Sequence, residues 1–249
     1  MQWDSSLYDK NHSFVSQYGC ELLKYLPQNK QQKILDLGCG TGDLSYELSK
    51  LCQKVVGIDA SPQMISLARE KFPNLDFRVC EGLSMTFKDE FDVVFSNAVF
   101  HWISNHNLLL ENIAKALKSE GILICEFGAL GNIESIENAF KLALGRQGFA
   151  YTMKLNFPDA DSFSKLLKQN HFEIIELSKF DRPTPLENNE EGLRIWLKQF
   201  FNSQLDELPL QIQEKIFEEV ETLTKDKLYH NRVWTLDYKR LRVIASLKK

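Results

Sequence analysis

Three glycines at alternate positions, Gly38, Gly40 and Gly42, stand inside Asp36-Leu37-Gly38-Cys39-Gly40-Thr41-Gly42-Asp43. Glycine lets a backbone take left-handed dihedrals and lets a ligand approach main-chain atoms closely. A lone triplet is a weak signal. Its weight comes from its place at the end of a short apolar strand, the edge where open α/β sheets bind ligands. A dinucleotide fingerprint would need its third glycine at position 43, which is Asp43, and a carboxylate at that helix start repels a pyrophosphate. About twenty residues on, the next strand ends in Gly57-Ile58-Asp59, where a carboxylate can accept hydrogen bonds from both hydroxyls of a ribose. Together these features ask for a nucleoside that carries no phosphate.

Other chemistries are poorly served. The five cysteines are scattered with no C-x-x-C pair, so no cysteine-built metal site is expected. Neither a G-x-S-x-G elbow nor an H-E-x-x-H zinc motif occurs, which disfavours hydrolases. A nicotinamide-dependent oxidoreductase would share the first β-α-β unit, but Asp43 opposes it. Phe91 to Trp102 reads as a strand and its exit loop ending in His101-Trp102. Phe100, His101 and Trp102 serve equally well as pocket wall or as ordinary core and loop residues.

Those residues need a scaffold that gathers strand ends. Phe14, Tyr18, Leu22 and Leu26 recur every four positions before Pro27, which predicts an amphipathic opening helix over 11–26. Strands are expected at Lys33–Leu37, Lys54–Ile58, Leu75–Cys80, Phe91–Ser96 and Gly121–Phe127. Helices fall between them at Asp43–Leu51, from Ser61-Pro62 through Phe72, and at Asn107–Leu117. This alternation predicts a mostly parallel sheet covered on both faces. Beyond Gly128, helices are expected at Ile133–Leu144 and Asp159–Gln169, and strands at His171–Arg182 and Val233–Leu247. The roughly fifty residues before that last strand, with Leu208, Ile212, Ile216 and Val220 at helical spacing, read as a cap.

The loop at 36–42, with Gly-Ile-Asp-Ala-Ser-Pro-Gln-Met at 57–64, resembles the Rossmann-like (class I) S-adenosylmethionine-dependent methyltransferases. The resemblance runs strongly from Ile34 to Phe127. It implies S-adenosylmethionine as cofactor, with the backbone at Gly38 and Gly40, beside Asp36 and Cys39, holding its methionine part. Asp59 and Ala60 would hold the ribose, Met64 would pack on the adenine, Glu81 and Gly82 would lie near its amine, and Asn97 near the methionine part. Cys39 needs no reactivity to explain it. The N-terminal Trp3-Asp4-Ser5-Ser6-Leu7-Tyr8 and His12, with Ser96-Asn97-Ala98-Val99 and Trp102, are similar to trans-aconitate and malonyl-carrier-protein methyltransferases. Those use the N-terminal segment as a flap, with Tyr8 the best match here. The fold implied is α/β: a doubly wound mostly parallel sheet with helices on both faces, an antiparallel last strand and a helical cap inserted before it. Its parts would be an N-terminal flap and helix at 1–30, a cofactor-binding domain at 31–182, the cap at 183–232 and the final strand at 233–249.

Methyl transfer from a sulfonium is an in-line displacement that needs alignment, desolvation and a correctly protonated nucleophile. The sequence offers no obvious base beyond the candidate His101. A carboxylate acceptor, ionised above about pH 4, needs none. Its recognition would fall to guanidinium forks: Arg146, Arg182, Arg194, Arg232 or Arg240, with His101, Trp102, Tyr151, Trp196 and Trp234 as walls. A non-catalytic S-adenosylmethionine-binding regulatory module, or methylation of an acyl-carrier thioester carboxylate, are the alternatives.

With 249 residues, 43% of them hydrophobic, the chain can bury one large core. Its net charge of -4, with both signs interspersed, offers no footprint for nucleic acid or an anionic membrane. Even the uncharged stretch Val93–Leu110 carries Ser96, Asn97, His101 and His106, which hydrocarbon rejects. A small-molecule substrate in a reducing cytoplasm is the expectation; the oligomeric state is left open.

Overall fold

Strand β1 (Lys33–Leu37) buries its last four residues completely, as a strand covered on both faces must. A computed structural model of the chain describes residues 18–153 and 155–249, so Trp3, Tyr8 and His12 lie outside the described residues. β1 sits in a seven-stranded sheet with β2 (Lys54–Asp59), β3 (Asp76–Val79), β4 (Phe91–Asn97), β5 (Leu117–Gly128), β6 (Phe172–Asp181) and β10 (Lys239–Leu247). The order is β3-β2-β1-β4-β5-β10-β6. β1 to β5 pair in parallel, and β10 runs antiparallel to β5. The order reverses between β1 and β4, so the loops leaving these two strands part at a topological switch point, where such sheets open a crevice.

Alternation along the strands feeds two cores. On one face Leu35, Leu37, Val94, Leu123, Cys125 and Val243 pack with Leu109 and Ile113 of α3 (His106–Ala116) and Phe163 and Leu167 of α5 (Ala160–Gln169). On the other, Ile34, Val93, Phe95, Ile124 and Ile244 meet Leu48 of α1 (Asp43–Ser49) and Leu22. Of the segment read as an opening helix, the described residues 18–20 are helical and Glu21–Tyr25 form a 3-10 turn that stops before Pro27; the part before residue 18 lies outside the described residues.

The chain divides into two compact units: one of residues 18–129, 155–179 and 240–249, the other of 130–153 and 180–239. The smaller contains α4 (Glu134–Arg146), α6 (Gly192–Phe200), α7 (Asn202–Leu205) and α8 (Leu210–Leu228). It also holds a three-stranded sheet of β7 (Thr184–Pro185), β8 (Tyr229–His230) and β9 (Val233–Leu236). The expected cap at 183–232 falls inside this unit.

One sequence expectation is corrected. Val233–Leu247 is two strands in different sheets, because the chain breaks at Asp237-Tyr238. There the Asp237 carboxylate accepts the Ser135 amide at 3.0 Å and its hydroxyl at 2.6 Å, and the Tyr238 carbonyl accepts the Arg182 amide at 2.7 Å. The apolar pattern runs through such a break because both pieces are strands, β9 buried at alternate residues and β10 buried almost throughout. Among the described residues no helix is long and apolar enough to cross a membrane.

Candidate active site

The loop after β1 is held by main-chain bonds. The amides of Gly38 and Cys39 both donate to the Ile58 carbonyl, at 2.7 and 3.0 Å, tying the loop to the end of β2. Gly38 has φ of +77°, and a Cβ there would fall 2.2 Å from a Val99 methyl. Gly40, at φ of +53°, is the opposite case: a Cβ there would meet nothing within 4 Å. Gly38 therefore serves packing, while Gly40 faces open space that a ligand can enter.

Asp59 ends β2 with its carboxylate anchored on both sides. One oxygen accepts the Gly40 amide at 3.1 Å and the other the Ser61 amide at 2.8 Å. Burial raises its pKa, opposed by these two bonds. Each oxygen keeps acceptor capacity for a pair of hydroxyls. Asp36 lies deeper, 2% exposed, accepting the Ser45 hydroxyl at 2.5 Å. Burial pushes its carboxyl up to about 7, against the Ser45 bond and with help from the charge of Asp59. The Cys39 thiol, raised far up by burial, packs with Ile65, Ala68 and Phe77, which is structural work.

Asp43 is not bare. It accepts the Thr41 hydroxyl at 2.7 Å and the Lys71 ammonium at 2.8 and 2.9 Å. The repulsion of a pyrophosphate is thereby softened, and what speaks against one is chiefly that position 43 is not a glycine. Ser61 caps α2 (Pro62–Lys71), its hydroxyl accepting the amide of buried Met64 at 3.3 Å. Ala60 is exposed, as is Glu81 in the loop after β3, and Gly82 is held through its carbonyl by the Asn112 amide group at 3.2 Å.

At the end of β4, Ser96 donates to the Leu37 carbonyl at 2.8 Å, locking this strand end to the glycine loop. Asn97 follows, then Ala98 at φ of +60°, a left-handed conformation costly for a residue with a Cβ. The Ala98 amide donates to the Glu126 carbonyl at 2.7 Å. The chain then enters the 3-10 turn Phe100–Trp102. His101 is buried, and its Nδ1 accepts the Gly128 amide at 3.2 Å. A backbone amide can only donate, so neutral His101 carries its proton on Nε2. Burial, then the charges of Arg240 and His106, hold its pKa well below the usual imidazole value. His101 is thus a hydrogen-bond donor through Nε2. Trp102 and Phe157 flank it, with ring centroids at 5.2 and 5.8 Å.

The structure gathers Asp36, Gly38, Cys39, Gly40, Asp59, Ala60, Asn97, His101 and Trp102 on the carboxyl edge of one sheet. Several candidates of the smaller unit are otherwise employed. Arg146 pairs with Glu219. Arg194 forks onto Glu221 at 2.6 and 2.8 Å and reaches Glu214 at 2.8 Å. Arg232 pairs with Glu190 at 2.9 Å. Trp196 is 2% exposed and donates to the Tyr238 hydroxyl at 2.7 Å, a core position. Trp234 donates to the Glu190 carbonyl at 3.0 Å, and Tyr151 packs edge-on against Phe140 and Phe201. Arg240, in the larger unit, is buried at the start of β10, its Cα opposite Gly128 in the ladder. Sequence reasoning missed the pair Glu126–Arg242, although a Glu within Ile-Leu-Ile-Cys-Glu-Phe and an Arg within Leu-Arg-Val-Ile are charges in runs that otherwise read as core.

S-adenosylmethionine suits these residues: open space at Gly40, an anchored carboxylate at the distance of a strand end, and no third glycine for a pyrophosphate. The family model for a methyltransferase domain matches residues 35–125. An uncharacterized methyltransferase of Schizosaccharomyces pombe is 32% identical over 258 residues, covering 98% of this chain and 97% of that protein. A trans-aconitate 2-methyltransferase of Methylobacterium radiotolerans is 29% identical over 49% of this chain and 47% of its own length. A malonyl-[acyl-carrier protein] O-methyltransferase of Bacillus cereus is 32% identical over 47% and 46%. These last two matches span about half of either protein. Among solved structures, the YcgJ protein of Bacillus subtilis shares the fold with a TM-score of 0.69 at 15% identity, over 94% of this chain and 99% of that one. A phosphoethanolamine N-methyltransferase of Haemonchus contortus, solved with S-adenosylhomocysteine, gives 0.58 at 19% identity, over 93% and 52%. Site, fold and a relative matched along its whole length converge, and this protein belongs to the class I S-adenosylmethionine-dependent methyltransferases, enzymes with S-adenosylmethionine as cofactor.

Proposed function

We propose that this enzyme methylates a carboxylate oxygen of a small molecule, in the cytoplasm. The observation that carries the reading is the tautomer of His101: its Nδ1 is taken by the Gly128 amide, so the ring presents a donor and is not the base that an alcohol or amine would need. An acceptor that arrives ionised fits such a site. When bound, S-adenosylmethionine supplies an electrophilic methyl, whose transfer gives a methyl ester and S-adenosylhomocysteine with no proton to move.

The chain's own residues then bind, orient and exclude water. Asp59, anchored by the Gly40 amide, holds the ribose, and Asn97 lies by the methionine part. His101 donates from Nε2 to the acceptor carboxylate, and Arg240, buried beside it, supplies the opposite charge. The half-length likeness to a trans-aconitate and a malonyl-carrier methyltransferase supports the same acceptor group, and five unpaired cysteines suit a reducing compartment.

The test is S-adenosylhomocysteine release across small di- and tricarboxylates, malonyl thioesters of acyl carrier protein, and amines. Turnover on a carboxylate, with kcat flat from pH 6 to 9, is expected. Turnover confined to an amine or alcohol, with a rate rising with pH, would overturn the reading. Tight cofactor binding without any turnover would favour the regulatory module.

A further inference from the structure

Inside the larger unit lies a charged cluster that the chemistry above does not use. Glu126, on β5, is 2% exposed. One of its oxygens receives Nε and Nη2 of Arg242, on β10, at 2.9 and 2.7 Å. Their Cα atoms are ladder partners, so the pair spans the sheet on the face lined by Ile124 and Ile244. The same guanidinium receives the 3-10 turn from above: Nη1 lies 3.3 Å from the Tyr25 hydroxyl, Nη2 3.5 Å from a Glu21 oxygen, and the Tyr25 ring 5.6 Å away. Tyr25 in turn donates to Glu176 of β6 at 3.3 Å.

The other side of Glu126 meets β4. Asn97 is its in-register parallel partner, which sets the two side chains side by side on one face. The Glu126 carbonyl holds the Ala98 amide in its left-handed conformation. Gly19, one residue before this turn's cap, lies so close that a Cβ there would stand 3.0 Å from the Asn97 amide nitrogen and 2.4 Å from a Leu44 methyl. Two buried charges cost several kcal/mol to desolvate, and an apolar pair would serve stability at least as well. Their retention points to a task in register.

We propose that the Glu126–Arg242 pair is a positioning device for the methyl-donor site: it backs the Asn97 side chain on one face of the sheet and docks the Glu21–Tyr25 turn there, while the Glu126 main chain holds Ala98. This rests on the reading that Asn97 lies by the methionine part of the cofactor. Neither residue touches the reacting atoms, so the effect falls on the amino-acid end of the cofactor and leaves the nucleoside end alone.

The experiment is calorimetric titration of Glu126→Gln, Arg242→Met, their double variant and Asn97→Ala with two probes, S-adenosylhomocysteine and 5′-methylthioadenosine, which lacks the amino-acid end. Each single variant should lose roughly tenfold in affinity for S-adenosylhomocysteine, the size of one lost hydrogen bond, with methylthioadenosine within twofold of wild type. Thermal unfolding should show the double variant regaining stability, since no lone charge stays buried, without regaining that affinity. Equal losses for both probes, or affinities unchanged in both single variants while Asn97→Ala weakens S-adenosylhomocysteine, would overturn the positioning role alone. An unchanged affinity in Asn97→Ala would overturn the placement of Asn97 and the proposal with it.

Discussion

In the larger unit, Asp36, Asp59, His101 and Glu126 are buried or nearly so, and each is held by an amide, a hydroxyl or a guanidinium. In the smaller unit, Arg146, Arg194 and Arg232 are partly to mostly exposed and face carboxylates of neighbouring segments. Both sets look alike as letters: charged residues near the ends of elements. The difference lies in what surrounds them. A charge withdrawn from water at the carboxyl edge of a parallel sheet is expensive and is kept where it meets a ligand or holds something that does. A charge paired at a helix surface costs little and contributes little.

The sharpest way to break this contrast is through Asp36. Its folded pKa, about 7, stands above its unfolded value near 3.8. The folded state then binds more protons between these values, so stability falls as pH rises from about 4 to 7, by up to about 4 kcal/mol, and stays low above. Asp36→Asn should remove that slope, raising Tm at pH 8 while leaving it nearly unchanged at pH 4; parallel curves for the two proteins would mean that Asp36 is not buried as a charge.

Next comes Asp59→Ala, which strips the acceptor from the Gly40 and Ser61 amides and from the cofactor's ribose. A loss of about 3 kcal/mol, or two orders of magnitude in S-adenosylmethionine affinity, is expected by calorimetry. A third comparison lies within one loop. Gly38→Ala drives a Cβ into Val99 and should cost about 2 kcal/mol of stability. Gly40→Ala meets nothing and should cost about 1 kcal/mol of left-handed strain while weakening the cofactor more than Gly38→Ala does in molecules that remain folded. Equal unfolding midpoints for the two would remove the distinction between a packing glycine and a ligand-facing one. The smallest effect is reserved for Arg194→Met: under about 1 kcal/mol of stability and an unchanged kcat/KM. A hundredfold loss there would move acceptor recognition into the smaller unit.

The glycine loop, Asp59 and the β-α alternation were legible because each is local. A tight turn, a strand end and a periodic face are written in adjacent residues, and they carry the fold class and the cofactor with them. The break at Asp237-Tyr238 was not, because the carboxylate that stops the strand is bonded to Ser135, about a hundred residues away. Nor was the ranking of the arginines, since a fork's availability depends on which carboxylate lies across from it.

By itself, then, the sequence determined the order of strands and helices along the chain, and it set the glycine loop and Asp59 at the strand ends where a phosphate-free nucleoside is expected. These follow from backbone dihedrals and from hydrophobic periods that neighbours impose on one another. Only the tertiary structure decided that His101 donates, that Arg240 is buried while Arg194 is spent on Glu221, and that Glu126 and Arg242 meet beneath Asn97. Protonation, desolvation and pairing depend on what surrounds a group in space, and that is set by contacts between residues far apart in the chain.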